Sequence, residues 1–535
     1  MTDQSPRSDK NLMVNDECDY LVVGAGTSGM SFVDTLLTEK PNASVILIDR
    51  NAGPGGHWTT AYPFVRLHQH SCFYGVNSLP LGEKFDRRGH EIFDYEDRAT
   101  GREVLEYYAK VLETFRANPN FQARFRCEYR REESPNVHAV RTSDGDDLLL
   151  RCRKLVMIRS AVVVPSMRPA PFPVHESVPY VAVNDLLRAH ASGKYARYVI
   201  LGAGKTSLDA VVGLLRAGAD PSAVRWVVSR DVWFFVRNEV YRNDETHYER
   251  LEKVVDRLLA ADSAQDFLLR MEDAGVVARL DPGGEPPAVM KGPQIDGEEL
   301  ALVRTVKDVV RRGRVQSIEA GGVMVFESDR CSEEAPPSGD ARSTVFVDCM
   351  AENFKGYTGF SKDFKIFEPH RINLGPLLAV FNPSFSAALI AYMESKIEDD
   401  KTKNACCFWG TSPDTVAYFF QSFYGQIKTL TVLMKTYAPA GRFILYSRTN
   451  SDAIMYHGGL VRLLWAQFGP RQLKIKTDRM IRRMEMGEYG DFRIDKEFVN
   501  RPLPPTVPFI TLKQLTLPVA CLAVSIGYKI VSRYK

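Results

Sequence analysis

The stretch that decides the fold is residues 18–37, CDYLVVGAGTSGMSFVDTLL. Tyr20–Val23 form an apolar run typical of a buried strand in a parallel sheet, and the residues after the glycines carry apolar side chains at helical spacing. The stretch therefore predicts a strand, a glycine turn and a helix. Between strand and helix, three glycines are spaced as GxGxxG: Gly24, Gly26 and Gly29.

This glycine pattern is typical of a dinucleotide site. We expect Gly24 to permit the tight turn, Gly26 to let a pyrophosphate approach the backbone, and Gly29 to allow close packing of helix on strand. The helix N-terminus would supply N–H donors to the phosphates. A second strand is predicted at Ala43–Ile48, and Asp49 ends it twenty residues after Gly29. An acid at this position accepts hydrogen bonds from ribose hydroxyls.

The same pattern returns about 178 residues later, in ARYVILGAGKTSLDAVVGLLRAGAD at residues 196–220. It again predicts a strand, a glycine turn and a helix, and its turn residues are Gly202, Gly204 and Ser207. An internal repeat of the dinucleotide-binding unit predicts two Rossmann-like domains.

The end of the next strand indicates which nicotinamide cofactor the second turn would bind. That strand is predicted at Val224–Val228 and is followed by Ser229 and Arg230, where an NAD site would show an acid. A cation beside a hydroxyl suits a 2′-phosphate, so we expect NADPH. The alternative is that Arg230 is a solvated surface arginine.

Buried strands on both sides of the second repeat indicate how the two domains are connected. Leu148–Val164 and Val345–Cys349 are predicted strands, and the proline-rich segment SMRPAPFPV (166–174) reads as a linker. We therefore expect an α/β protein in which the second Rossmann-like domain is inserted into the first. The expected units are a disordered N-terminus (1–17), the first part of an FAD-binding domain (18–168), an NAD(P)-binding domain (169–344), the second part of the FAD-binding domain (345–500), and a proline-rich spacer with an apolar C-terminal segment (501–535).

The segment GPGGHW, Gly53–Trp58, directly follows the first unit. An acid, a short spacer and then GG-x-W is similar to the pattern of flavin-containing and Baeyer–Villiger monooxygenases, the class B flavoproteins. The resemblance implies that FAD binds at the first turn and NADPH at the second. It also implies that residues 61–76 pass the flavin ring and that the FAD is lined by Asp49, Arg50, Gly56, His57 and Trp58.

Within residues 61–76, His68 and Gln69 lie where class B enzymes keep an asparagine near the flavin edge. The resemblance makes them the candidate catalytic residues, as hydrogen-bond donors to oxygen or to the nicotinamide. The alternative is a strand in which the histidines satisfy backbone groups. We expect no metal site, because no further ligands stand at readable spacing around His68 and His70.

A late apolar segment, FNPSFSAALIAYMESK (381–396), predicts a helix capped by Ser384 or Ser386. In two-domain flavoproteins such a helix often directs its N-terminus at the flavin, where negative charge develops on reduction. Core packing explains the helix equally well.

Departures from the class B pattern leave the activity open. The text before the second turn, PFPVHESVPYVAV (171–183), lacks the FxGxxxHxxx(W/F) signature, and Arg159–Ala161 and Met350–Glu352 stand in place of the usual linkers. The resemblance favours a monooxygenase that uses NADPH, FAD and O2 on an unidentified small organic substrate. The alternatives are an NAD(P)H-dependent flavin reductase or oxidase, and a flavin-binding scaffold without turnover.

Composition excludes other classes of function. A net charge of +3 over 535 residues, without a basic stripe, gives no sign of nucleic-acid binding. Nine cysteines without a CxxC indicate a reducing, cytoplasmic setting and disfavour a disulfide reductase. We expect the vicinal pair Cys406 and Cys407 to be buried apolar residues.

The C-terminus carries an uncharged stretch, Gln514–Tyr528, after the proline-rich spacer NRPLPPTVPF. It is shorter than the ~20 residues that span a bilayer, although Lys529 would extend it by snorkelling. Three alternatives stand: a helix buried against the FAD domain, membrane attachment through residues 509–531, or a disordered tail.

Overall fold

The computed structural model describes most of the chain. The described residues are 14–82, 97–158, 164–237, 247–327, 332–333, 343–351, 364–375, 377, 382–408, 415–450, 471–494, 496–500 and 502–504.

The strands are, in chain order, β1 Asp16–Val23, β2 Val45–Asp49, β3 Phe121–Phe125, β4 Glu128–Ser134, β5 Val137–Arg141, β6 Asp147–Ile158, β7 Tyr180–Ala182, β8 Arg197–Leu201, β9 Val224–Val227, β10 Phe234–Val236, β11 Val277–Ala278, β12 Gln294–Ile295, β13 Asp308–Val310, β14 Val315–Ile318, β15 Met324–Phe326, β16 Ser332–Glu333, β17 Thr344–Asp348, β18 Phe367–Glu368 and β19 Arg371–Leu374.

The helices are, in the same order, α1 Thr27–Glu39, α2 Gly101–Arg116, α3 Leu186–Ala191, α4 Lys205–Arg216, α5 His247–Ala260, α6 Ala264–Asp273, α7 Gly297–Val303, α8 Pro383–Lys396, α9 Asp400–Ala405, α10 Val416–Thr436, α11 Ala440–Tyr446, α12 Arg471–Met486 and α13 Lys496–Val499.

The first sheet has the parallel order β3-β2-β1-β6-β19, with β18, β4 and β5 added as antiparallel strands. Its central strands are buried on both faces. Tyr20 and Val22 pack into the core that α1, α2 and α8 cover, whereas Leu21 packs into the core that the β4–β5 hairpin covers. Burial on both faces explains why Tyr20–Val23 is a continuous apolar run.

The second sheet repeats this architecture in the parallel order β13-β9-β8-β17-β7. Helices α3, α4 and α7 contribute to the core on one face, and the antiparallel strands β14 and β15 contribute to the core on the other. The chain leaves the first sheet after β6, forms the second sheet and returns to the first at β18 and β19. The predicted fold class, two Rossmann-like domains with the second inserted into the first, is confirmed.

A third apolar core joins segments that lie far apart in the sequence. Trp233 and Phe267, from the chain of the second domain, pack in one cluster with Phe420, Met480 and Tyr489. Helices α10 and α12 therefore share their core with α5 and α6, a grouping that the chain order did not indicate.

Helix α8 forms as predicted, but its cap differs. The Asn382 side chain accepts a hydrogen bond from the Phe385 backbone N–H at 3.1 Å, and Pro383 occupies the first helical turn. Ser386 instead donates to the Gly375 carbonyl at 3.0 Å, and Ser384 is buried, so the prediction of a serine cap is wrong. The helix packs against α1.

Several predictions concern residues outside the described ranges. These are the disordered N-terminus up to residue 13, the altered linker Arg159–Ala161, and the apolar C-terminal segment 509–531. Among the described residues, no helix combines the length and the apolar composition needed to cross a membrane. Cys406 and Cys407 are both fully buried, as predicted.

Candidate active site

The first glycine turn connects β1 to α1. Gly24 has a φ of +104°, a left-handed conformation that favours glycine. A side chain at Gly29 is excluded for a different reason, because its Cβ would lie 1.9 Å from the Gly24 carbonyl oxygen. Helix α1 can therefore begin directly against the end of the strand.

The segment Gly53–Trp58 packs on this turn. The Gly55 N–H donates to the Ala25 carbonyl at 2.8 Å, and a Cβ on Gly56 would stand 2.9 Å from the Gly26 Cα. Gly26 itself has an ordinary extended conformation, with φ at −82°. The two predicted flavin motifs thus meet through the backbones of Gly26 and Gly56.

Asp49 ends β2 and is buried beneath the same turn. Its carboxylate accepts hydrogen bonds from the backbone N–H groups of Ala25, at 2.6 Å, and Asn51, at 2.7 Å. Each carboxylate oxygen retains a lone pair, so the side chain can hold the turn and still accept a ribose hydroxyl. The adjacent Arg50 is exposed.

A cluster of hydroxyl groups lies at the start of α1. The Trp58 indole N–H donates to the Tyr74 hydroxyl at 2.6 Å, and the same hydroxyl shares a hydrogen bond with the Thr27 side chain. Tyr108 also donates to the Thr27 hydroxyl, at 2.9 Å. Sequence reasoning identified Trp58 but missed the other three residues, because no local spacing relates them.

The second glycine turn connects β8 to α4. Gly202 has a φ of +134°, and the Ser207 hydroxyl donates to the Gly204 carbonyl at 2.7 Å, within the first turn of α4. Gly204 has an extended conformation, with φ at −93°, and a Cβ there would meet no atom within 4 Å. Neither strain nor packing in the protein requires glycine at this position, which leaves space for a ligand close to the backbone.

Arg230 is exposed three residues beyond the end of β9. The neighbouring strand β13 is followed by Arg311 and Arg312, which are also exposed, and the Val228 N–H donates to the Val310 carbonyl at 2.9 Å. The two strand ends therefore bring three arginines to one edge of the sheet. Sequence reasoning missed Arg311 and Arg312 because the pairing of β9 with β13 was not predicted.

His68 lies in a loop between the two turns, so the alternative of a strand at His68 is wrong. Burial lowers the pKa of its imidazole well below the usual range, and the positive charges of Lys205, Arg237 and Arg98 lower it further, with a smaller contribution from His57. His57 belongs to the flavin motif and Lys205 is the first residue of α4. His68 is therefore a neutral side chain at pH 7, and groups from both predicted cofactor sites influence its pKa.

The other two histidines of this region are also neutral. Burial lowers the pKa of His57 to about 4. Burial, together with the charges of Arg237 and Arg98, lowers the pKa of His70 to about 3. Gln69, the second candidate catalytic residue, is partly exposed beside His68.

Buried ion pairs surround this loop. Arg237 donates to the His68 carbonyl at 2.7 Å and pairs with Asp296 at 3.2 Å, and Arg98 pairs with Glu299 at 3.1 Å. Burial would raise the pKa of the Glu299 carboxyl, but Arg98 and two further cations, those of Lys205 and Arg237, bring it to about 2.

These pairs join the two domains. His68 and Arg98 come from the chain before the insertion, and their partners come from the inserted part. A further connection runs from Tyr62, whose hydroxyl donates to the Asp209 carboxylate at 2.6 Å, and Asp209 also pairs with Lys205. In the part of the chain that the structure describes, no three His, Cys, Asp or Glu side chains form a metal-binding group.

The chain is similar to several known proteins. The family described as the NAD(P)-binding Rossmann-like domain matches residues 22–87. The uncharacterised protein Rv2000 of Mycobacterium tuberculosis is 34% identical over 420 residues, which cover 77% of this chain and 74% of that protein. The FAD-dependent monooxygenase resA of Aspergillus sclerotiorum is 24% identical over 224 residues, 39% of this chain and 36% of that protein.

Among solved structures, an oxidised steroid monooxygenase bound to NADP is 15% identical, with a TM-score of 0.45. The match covers 89% of this chain and 99% of that one.

Proposed function

This chain belongs to the same family as the mycobacterial protein Rv2000, and we propose that it is an FAD-dependent oxidoreductase that takes its electrons from NADPH. The observation that carries the proposal is that one loop contacts both units: the Gly55 N–H donates to the Ala25 carbonyl of the first glycine turn at 2.8 Å, and the Tyr62 hydroxyl donates to the Asp209 carboxylate of α4 at 2.6 Å. Two dinucleotide turns that face a common loop are the arrangement that electron transfer between two nucleotide cofactors requires.

The residues of the first turn fit FAD. The N–H groups at the start of α1 would hold the pyrophosphate, the Asp49 carboxylate would accept a ribose hydroxyl, and His57 and Trp58 would line the bound cofactor. The close packing of Gly56 on Gly26 supports this assignment, because a Cβ on Gly56 would stand 2.9 Å from the Gly26 Cα.

The residues of the second turn fit NADPH. The open space at Gly204 would admit a pyrophosphate to the start of α4. Arg230 and Arg312 would attract the 2′-phosphate that distinguishes NADPH from NADH, whereas Arg311 at the same sheet edge pairs with Asp231 at 2.7 Å.

Bound FAD would accept a hydride from NADPH and pass the electrons to O2 or to an organic acceptor. The protein's own contribution is positioning and electrostatics. Lys205, Arg98 and Arg237 are each paired with a carboxylate, and Arg237 also holds the His68 carbonyl, so these ion pairs fix the loop in place. A neutral His68 imidazole can donate one hydrogen bond without carrying a charge of its own.

We propose further that the reaction is a monooxygenation of a small organic molecule. The fungal relative resA, which is named as an FAD-dependent monooxygenase, and the class B pattern of Gly53–Trp58 support this choice over a reductase or an oxidase.

The test begins with purified protein loaded with FAD. NADPH oxidation, O2 consumption and H2O2 release are measured with and without a panel of ketones and sulfides, and NADH serves as the comparison cofactor. A monooxygenase consumes NADPH and O2 equally and releases less H2O2 when a substrate is present, whereas an oxidase releases H2O2 in equal amount throughout. Protein that binds no FAD, or bound FAD that NADPH never reduces, would refute the oxidoreductase.

A further inference from the structure

A buried tetrapeptide late in the chain, Ser447–Asn450, packs against residues 72–77 of the first domain. It follows α11 and lies more than 370 residues away in sequence from the segment that it contacts. Arg448 makes most of the contact. Its guanidinium donates to the backbone carbonyls of Cys72 at 2.6 Å, Tyr74 at 2.7 Å and Val76 at 3.2 Å.

The residues on either side of Arg448 fix its backbone. The hydroxyl groups of Ser447 and Thr449 both donate to the Asn77 side-chain oxygen, at 2.8 Å and 2.9 Å. Asn382, which caps α8, donates to the Thr449 carbonyl at 2.6 Å. Ser447 and Thr449 are both buried, so the backbone on either side of the guanidinium is held by buried hydrogen bonds rather than by solvent.

The opposite side of segment 72–77 is held by the first two helices. The Ser31 hydroxyl of α1 donates to the Gly75 carbonyl at 2.9 Å, and the Val76 N–H donates to the Tyr107 hydroxyl of α2 at 2.8 Å. Arg448 thus completes the support of a segment that is not part of a sheet.

The same segment carries Tyr74, whose hydroxyl binds the Trp58 indole and the Thr27 side chain. Thr27 is the first residue of α1, directly after Gly26, and Trp58 ends the GG-x-W motif. A rigid chain of contacts therefore runs from Arg448 through Tyr74 to both motifs of the first glycine turn.

We propose that Arg448 is a positioning residue for the FAD site, acting through Tyr74 on Trp58 and Thr27. The inference rests on the proposed function, because the first turn is taken to bind FAD. A planar guanidinium can donate to three carbonyls at once, whereas a lysine in the same place has a single nitrogen and cannot reach all three. Without Arg448 the segment would lose its hold on Tyr74, and the flavin environment would change.

The test compares Arg448→Met, Arg448→Lys and Tyr74→Phe with wild type. The matched control is Arg483→Met, because Arg483 of α12 also donates to backbone carbonyls, those of Leu259 at 2.5 Å and Ala261 at 3.3 Å, but lies over the Tyr489 ring beside the third core. The readouts are FAD affinity, the absorption and fluorescence spectra of bound FAD, and the flavin midpoint potential.

Arg448→Met is expected to weaken FAD binding about tenfold, the equivalent of one hydrogen bond, and to change the flavin spectrum. Arg448→Lys should recover part of both effects. Tyr74→Phe should reproduce the spectral change with a smaller loss of affinity, and Arg483→Met should leave all three readouts at wild-type values.

The proposal is overturned if Arg448→Met binds FAD with wild-type affinity and spectrum, or, where that variant does not fold, if Tyr74→Phe leaves the spectrum unchanged. Amide hydrogen exchange of FAD-free protein separates this inference from the proposed function. In Arg448→Met, faster exchange at residues 72–77 and 56–60 supports the positioning role even if wild type binds no FAD. In Tyr74→Phe, faster exchange at residues 56–60 supports it in the same way. Unchanged exchange overturns the positioning role.

Discussion

Replacing Gly204 by alanine should separate cofactor binding from folding at the second turn. The glycine has an extended backbone, with φ at −93°, which alanine adopts without strain, and an added Cβ would meet no protein atom within 4 Å. A methyl at this position obstructs none of the residues that the structure describes, so its effect would fall on a ligand lying against the start of α4. We therefore expect Gly204→Ala to fold normally and to bind NADPH poorly.

The expected magnitudes follow from three free-energy contributions: two small, opposing effects on protein stability and one larger effect on NADPH binding. Alanine restricts the unfolded chain and so stabilises the protein by about 0.4–1 kcal/mol, while it is a poorer N-cap than glycine by about 0.5–1 kcal/mol. The two effects nearly cancel, and the melting temperature should hardly change. Displacing a phosphate from one backbone N–H removes a charge-assisted hydrogen bond of about 1.5–3 kcal/mol, which weakens NADPH binding about tenfold to hundredfold.

The assay is titration calorimetry with NADPH on FAD-loaded protein, together with thermal unfolding and measurement of the FAD content. Gly297→Ala is the matched control, because Gly297 begins α7 of the same domain and its Cβ would also meet no atom within 4 Å. Wild-type NADPH affinity in Gly204→Ala would refute the assignment of the second turn. Weak NADPH binding accompanied by a large loss of stability would show that the structural reasoning about the open space is wrong.

Four other changes test the remaining assignments. Gly26→Ala places a Cβ 3.4 Å from the Gly56 Cα, an ordinary contact, so it should fold yet lower the FAD content of the purified protein; undiminished FAD would exclude the first turn as its site. Arg230→Ala should raise the KM for NADPH about tenfold or more, as expected for a lost contact between charges, and leave the KM for NADH unchanged; equal effects on both cofactors would contradict the 2′-phosphate role. His68→Ala should keep FAD and increase the H2O2 released per NADPH, and it counts as structural if reduction and oxygen consumption match wild type. Burial lowers the pKa of His70 from 6.5 to about 3, so the folded state binds fewer protons than the unfolded state below about pH 6.5. The free energy of unfolding should therefore fall by up to about 1.4 kcal/mol per pH unit as the pH decreases below this value. In His70→Asn the free energy of unfolding, measured by urea titration, should fall less steeply across the same range.

The two glycine units were predictable because each is formed by residues that are close together in the sequence. A buried strand, a glycine turn and a helix follow one another within about 25 residues, and the periodicity of apolar residues changes at the glycines. The cap of α8 was predictable in principle as well. Asn382 stands directly before Pro383, and an asparagine cap followed by proline in the first turn is a local signal.

The remaining features depend on contacts between distant segments. The hydrogen bonds of Tyr74 with Thr27 and of Arg448 with Tyr74 join residues 47 and 374 positions apart. The ion pair between Arg237 and Asp296 forms only because separate strands bring these residues together. No spacing rule predicts such pairings from a single sequence, because the neighbouring residues in the sequence do not distinguish these side chains from solvated ones.

The contact between Gly26 and Gly56 explains why the two flavin motifs belong together. Gly56 leaves room for Gly26, because a Cβ on Gly56 would come within 2.9 Å of the Gly26 Cα. The Ala25 backbone accepts a hydrogen bond from Gly55 and donates one to Asp49, so the acid, the turn and the GG-x-W segment form one hydrogen-bonded unit. A sequence shows these as three separate motifs, whereas in the structure they form one surface. A substitution in any of them is expected to alter the site proposed for the pyrophosphate.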